Sequence, residues 1–161
     1  MKRIIIFAAM LLSFIAASAQ SGKAIYQKYS DADDVSAVYI SSAMFRLIGN
    51  IPDLYIEGQN VNLSPIIQTL SGLYILGIKD EKTKSSLKAD VDRFVSSGKY
   101  ELLMEAKERN EVMKMYTCGT DAIVDSFVMI ADEGKETAFI CFEGKMMRED
   151  LEKVLADAMK K

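Results

Sequence analysis

The spacing of apolar side chains changes character along this chain. Residues Ile4 to Ala16 form a predominantly apolar block, the middle of the chain mixes helix and strand spacing, and after Gly98 the period falls to two. Within Gln20–Asp34, Ile25, Tyr26 and Tyr29 are spaced for one short amphipathic helix. Val35 to Ser41, with Val38, Tyr39 and Ile40, is a β-branched and aromatic run of strand length. It leads into Ala43–Ile48, which reads as a helix capped by Ser41 or Ser42 and ended by Gly49. Asn50–Leu63 holds Pro52 and Gly58 and no sustained period, and reads mostly as loop. Ser64-Pro65 then starts a short helix carrying Ile66, Ile67 and Leu70 and closed by Gly72. Leu73–Ile78 is a compact apolar run that fits a buried strand.

Asp80 opens the clearest helix. Leu87, Val91, Phe94 and Val95 fall on one stripe, the opposite face is charged, and Gly98 supplies the stop. Beyond it, Tyr100, Leu102, Met104 and Ala106 alternate with Glu101, Glu105 and Lys107, which predicts a strand with one apolar face. Turns at Arg109-Asn110, at Gly119-Thr120-Asp121 and around Gly134 divide the rest into Val112–Cys118, Ile123–Ala131 and Thr137–Glu143. Short loops force antiparallel neighbours, so four strands form a meander. A final helix carries the stripe Leu151, Val154, Leu155, Ala158 and Met159 and lacks an evident N-cap.

The fold class this implies is α+β: a mixed, largely antiparallel sheet with helices packed on one face, the C-terminal meander and the terminal helix. Strands joined through helices are expected to pair in parallel by crossovers. Both helical stripes should bury against the sheet.

The ends and the charge balance add context. Met1-Lys2-Arg3, the apolar block and Ala17-Ser18-Ala19 have the layout of a cleaved secretory signal peptide, with the cut after Ala19 and one domain over residues 20–161. A periplasmic or secreted location follows, with no stable membrane anchor expected. Losing residues 1–19 takes Lys+Arg from 20 to 18 against 23 Asp+Glu, so the net charge moves from -3 to -5. That balance argues against nucleic acid as a partner, because no cationic surface is left to release phosphate counterions. Cys118 and Cys141 are compatible with a disulfide in an oxidising compartment, but the meander puts a whole strand between them, so they are expected to stay unpaired.

The chain contains no histidine, which removes the commonest general base and most zinc sites. No glycine-rich phosphate loop occurs. Asp31, Asp33 and Asp34 lack the spacing of a calcium loop and read as a solvated turn. Glu101, Glu105, Asp125 and Glu143 are candidates for a carboxylate hydrolase acting on envelope material, though the sequence selects no pair. Met113 and Met115 share a strand face and, with Cys118 near, offer soft ligands suited to cuprous ion; a methionine-rich core or partner-binding face is the plainer reading. No catalytic, cofactor-binding or metal-binding residue is assigned, and no cofactor is expected.

The stretch Val35-Ser36-Ala37-Val38-Tyr39-Ile40-Ser41, continued by Ala43-Met44-Phe45, resembles a family of small exported bacterial proteins described only as domain of unknown function 4252. The Met115-Tyr116 strand and the ending of strand, Glu143-Gly144-Lys145 and helix extend the likeness over nearly the whole mature chain. The resemblance implies an envelope location and an α+β fold and supplies no catalytic residues. The functional expectation is therefore an exported, non-enzymatic binding or interaction domain with a protein or small-molecule partner in the cell envelope.

Overall fold

The computed structural model describes residues 21–48, 54–56, 59–61 and 63–158, so the expected signal peptide and Met159 lie outside the described residues. In chain order the elements are α1 (Gly22–Tyr29), β1 (Val35–Ser41), α2 (Ser42–Ile48), β2 (Leu54–Ile56), β3 (Gln59–Val61), a 3-10 turn (Ile67–Thr69), β4 (Leu70–Ile78), α3 (Glu81–Ser97), β5 (Tyr100–Glu108), β6 (Glu111–Gly119), β7 (Ile123–Asp132), β8 (Thr137–Met147) and α4 (Arg148–Ala158). No helix among the described residues is long and apolar enough to cross a membrane.

Local chemistry accounts for most boundaries. Ser21 caps α1 by accepting from the Ala24 amide at 3.1 Å, and Asp80 caps α3 by accepting from the Thr83 amide at 2.8 Å. Ser41 caps α2 through the Met44 amide at 3.3 Å. α4 starts without such a cap; Glu149 and Asp150 in its first turn favour the positive end of the helix dipole, and the Arg148 side chain ties the entry to the carbonyls of Thr120 and Asp121 at 2.9 and 3.0 Å.

β1, β4, β8, β7, β6 and β5 form one six-stranded sheet in that order, and every neighbouring pair is antiparallel. The meander is present from β5 to β8. The expected parallel pairing is corrected. The link from β1 to β4 is not a lone helix, since it also holds the β2–β3 strands and the 3-10 turn, and it re-enters the sheet at the end where β1 left it, with Ser41 opposite Gly72, so β4 runs back along β1. α3 does link two strands of the same direction, β4 and β5, but β8, β7 and β6 lie between them.

The helices lie on both faces of the sheet rather than on one. The reason is that the central strands carry apolar side chains on both faces: on β4, Tyr74, Leu76 and Ile78 belong to one hydrophobic cluster while Leu73 and Ile75 belong to the other. β8 divides the same way, Phe139 and Cys141 against Ile140 and Phe142. The front face is covered by Ile25 and Tyr29 of α1 and by Leu87, Val91, Phe94 and Val95 of α3. The back face is covered by Phe45 of α2, by Ile66 and Ile67 around the 3-10 turn, and by Leu151 and Val154 of α4. Both predicted stripes thus bury against the sheet, on opposite sides.

Three further expectations change. The loop region contains the small hairpin β2–β3. The helix begun by Ser64-Pro65 is only a turn plus the 3-10 segment, because Leu70 to Gly72 already belong to β4. Tyr100, Leu102, Met104 and Ala106 do not share a face: the register shifts between Leu102 and Met104, so Tyr100 and Leu102 lie on the front and Met104 and Ala106 on the back. An extra residue in one strand of a pair inverts the alternation beyond it.

Polar contacts fasten α1 to α3. Asp90, buried on α3, accepts from Tyr29 Oη at 2.6 Å and from Lys28 Nζ at 2.5 Å, and also pairs with Arg93. Gly22 lies so close to β8 that a Cβ there would stand 2.2 Å from Cys141 Sγ, so α1 docks at this depth only without a side chain at that position.

Candidate binding surface

Methionines gather on the back face of the meander. Met115 of β6 is paired with Met104 of β5 and with Met129 of β7, which sets three thioether side chains in a row across three strands. Met113 lies two residues along β6 on the same face, between Ala106 and Ala131. Met115 is buried, while Met104, Met113 and Met129 are half-buried at the margin of the back cluster. α4 packs chiefly on β8 and β3, which leaves the back of β5 and β6 partly open.

Past Met113 the face opens into a shallow concavity of about 330 Å³, with Ala106, Met113 and Ala131 among its lining residues. Glu108, Glu111 and Glu133 stand at its mouth, all exposed or half-exposed and, among the described residues, none in an ion pair. Glu108 and Glu111 are opposite each other across the β5–β6 hairpin, a placement that costs stability between like charges. Lys107 also lines the concavity, but its ammonium is engaged by Glu105 at 3.1 Å. The hairpin turns through Arg109 at φ 50°, a left-handed conformation that L side chains adopt at a cost.

The residues singled out in the sequence separate. Glu101 faces Thr117 and Glu105 faces Lys114, on opposite sides of β5. Lys107, and more weakly Lys114, hold the Glu105 carboxyl below its usual range. Asp125 sits at the register shift of β7 and pairs with Lys145 at 3.4 Å. Glu143 lies opposite Gly72 and Ser126. No two of these carboxylates are cross-strand partners. Cys118 shares the front face with Tyr116, so it cannot join Met113 and Met115 as a third soft ligand. Asp31, Asp33 and Asp34 are exposed in the turn before β1, and among the described residues no three acidic or Cys side chains are placed to hold a metal.

The front face carries a small polar chain: Tyr100 Oη lies 3.0 Å from Ser126 Oγ, which lies 3.8 Å from Cys141 Sγ. Burial, and then the charge of Glu143, push the Cys141 thiol up, with Ser126 opposing weakly. A thiol held protonated and covered in this way is a packing group, not a nucleophile. Both cysteines are free, with β7 between their strands.

The methionine row was half legible in sequence. Met113 and Met115 declared a shared face by their spacing, whereas Met104 and Met129 join them only through the register, which the shift at Leu102 decides.

No curated protein and no solved structure matches the chain. A family model does match residues 29–154, from the end of α1 into α4, and the chain belongs to the family described as Domain of unknown function (DUF4252).

Proposed function

We propose that the protein is an exported, non-enzymatic interaction domain of the cell envelope that accepts a cationic, apolar-faced protein segment on the back of β5, β6 and β7. The observation that carries this reading is the methionine row, half open and bordered by unpaired carboxylates. Methionine side chains are flexible and polarisable and adapt to differently shaped apolar partners. The acidic mouth selects a partner with positive charge beside its apolar face and rejects an anionic one. The layout of the first 19 residues supports export, and the scattered carboxylates and the covered thiol support binding over catalysis.

A synthetic amphipathic peptide of leucine and lysine bearing a single Trp tests this directly, since the protein has no Trp and all indole emission is the peptide's. Saturable blue-shifted emission is expected, with affinity reduced about tenfold or more when Glu108→Lys and Glu111→Lys are combined. No shift, or equal affinity of the charge-reversed protein, would refute the reading. Export is checked by intact mass from the envelope: a chain beginning at Gln20 is expected, and one retaining Met1 to Ala19 contradicts it.

A further inference from the structure

The open sheet ends on β1 at one side and β5 at the other, and among the described residues neither outer edge is paired. Such edges present free N–H and C=O groups to any extended chain, and proteins blunt them with charges, bulges or proline. β5 is blunted: its register breaks between Leu102 and Met104, and it carries Glu101, Glu105, Lys107 and Glu108. β1 has none of these devices. Its 7 residues, VSAVYIS, hold no charge, proline or glycine and pair with β4 one for one without a shift. Its centre is open, with Val38 47% and Tyr39 46% exposed.

We propose that the outer edge of β1 is a homodimer interface, in which β1 pairs antiparallel with β1 of a second copy about a two-fold axis at Val38. This surface is separate from the methionine face and goes beyond the role proposed for it. Self-pairing fits because the strand complements itself. Residues opposite one another in a sheet share a face. Among registers that keep the faces matched, the one centred on Val38 is the one that overlaps the whole strand. It sets Tyr39 beside the small Ala37 of the other copy, twice by symmetry, Val38 beside Val38 on the back, and Ser36 beside Ile40. With no charge on the strand, symmetric pairing brings no like charges together. Tyr39 is already held in place: its ring stacks on Tyr74 at 5.1 Å between centroids and lies 6.1 Å from Tyr26. An exposed aromatic with little freedom left to lose is a good anchor for an isologous contact.

Sedimentation equilibrium of the purified protein is expected to show a concentration-dependent dimer. Val38→Lys, an exposed substitution of the kind that protects natural edges, should return it to monomer with unchanged far-UV circular dichroism and unchanged binding of the Leu/Lys peptide. In a Cys118→Ser background, Val38→Cys should form a disulfide-linked dimer on mild oxidation, and Leu103→Cys, 43% exposed on the guarded edge, should not. A monomer at every concentration, a dimer that survives Val38→Lys, or equal cross-linking at the two positions would overturn the proposal.

Discussion

β4, β8 and β7 are apolar on both faces and covered on both, whereas β5 and β6, in the same sheet and joined by the same kind of antiparallel ladder, leave most of their residues exposed or half-exposed. The difference follows from where the helices go. α1 packs on β4 and β8, and α4 packs on β8 and β3, so the middle of the sheet is sealed from both sides while, among the described residues, the β5–β6 ribbon is covered only in part, by α3 on the front. Regions with few buried contacts contribute little to stability and are free to bind. Folding free energy is concentrated in the sealed strands, and the proposed binding surface lies on the ribbon.

That division can be broken by truncating one side chain in each region. Phe94→Ala, which empties a site beneath α3 and removes an edge-on contact with Tyr100 at 4.9 Å between centroids, should cost about 3–5 kcal/mol in chemical denaturation. Met113→Ala on the half-open ribbon should cost less than about 1.5 kcal/mol. Equal losses would mean that the ribbon is as much a part of the core as α3.

The second expected effect concerns the clamp that holds α1 over the sealed strands. Burial opposes ionisation of Asp90, but hydrogen bonds from Lys28 and Tyr29 and the charges of Lys28 and Arg93 outweigh it, so its carboxyl titrates below the usual range. A depressed folded pKa gives stability that is complete above the ordinary aspartate value of about 4 and is lost as the pH falls through the lower folded value. Asp90→Asn should cost about 1–2 kcal/mol at neutral pH, the cations Lys28 and Arg93 being more than half exposed. It should also flatten the acid side of the stability profile in part, since Asp132, likewise lowered against its burial by Lys88, the Gly134 amide and Thr137, still contributes. An unchanged acid profile would remove Asp90 from the clamp.

The smallest effect belongs to the ribbon. Arg109→Gly relieves the left-handed backbone at the β5–β6 turn and should stabilise by about 0.5–1 kcal/mol. A loss in the same denaturation assay would show that the Arg109 side chain makes a contact worth more than the strain.

Much of this organisation could be read before the structure, and the rest could not for definite reasons. Asp80 and Gly98 bound α3 because capping is local, and the meander followed from three short turns. The unpaired state of Cys118 and Cys141 followed from the strand order. The pairing of β4 with β8 was not legible, since nothing local tells Leu73–Ile78 that a strand some sixty residues on will lie beside it. Nor was the second covered face: a continuous apolar run announces burial without saying how many layers supply it. The shift at Leu102 was the costliest omission for the proposed binding surface. The alternation of Tyr100, Leu102, Met104 and Ala106 is unbroken in sequence, and only pairing with β6 reveals that Met104 has crossed to the methionine side.

Amide hydrogen exchange of the protein with and without the Leu/Lys peptide measures the division between sealed and open strands most directly. Added protection should be confined to the ribbon and the adjoining margin of β7, from Leu103 to Met115 and around Met129, while β4 and β8, expected to exchange slowly in the free protein, stay unchanged. Protection appearing instead along α1 and α3, or spread evenly over the sheet, would contradict the assignment of binding to the open half.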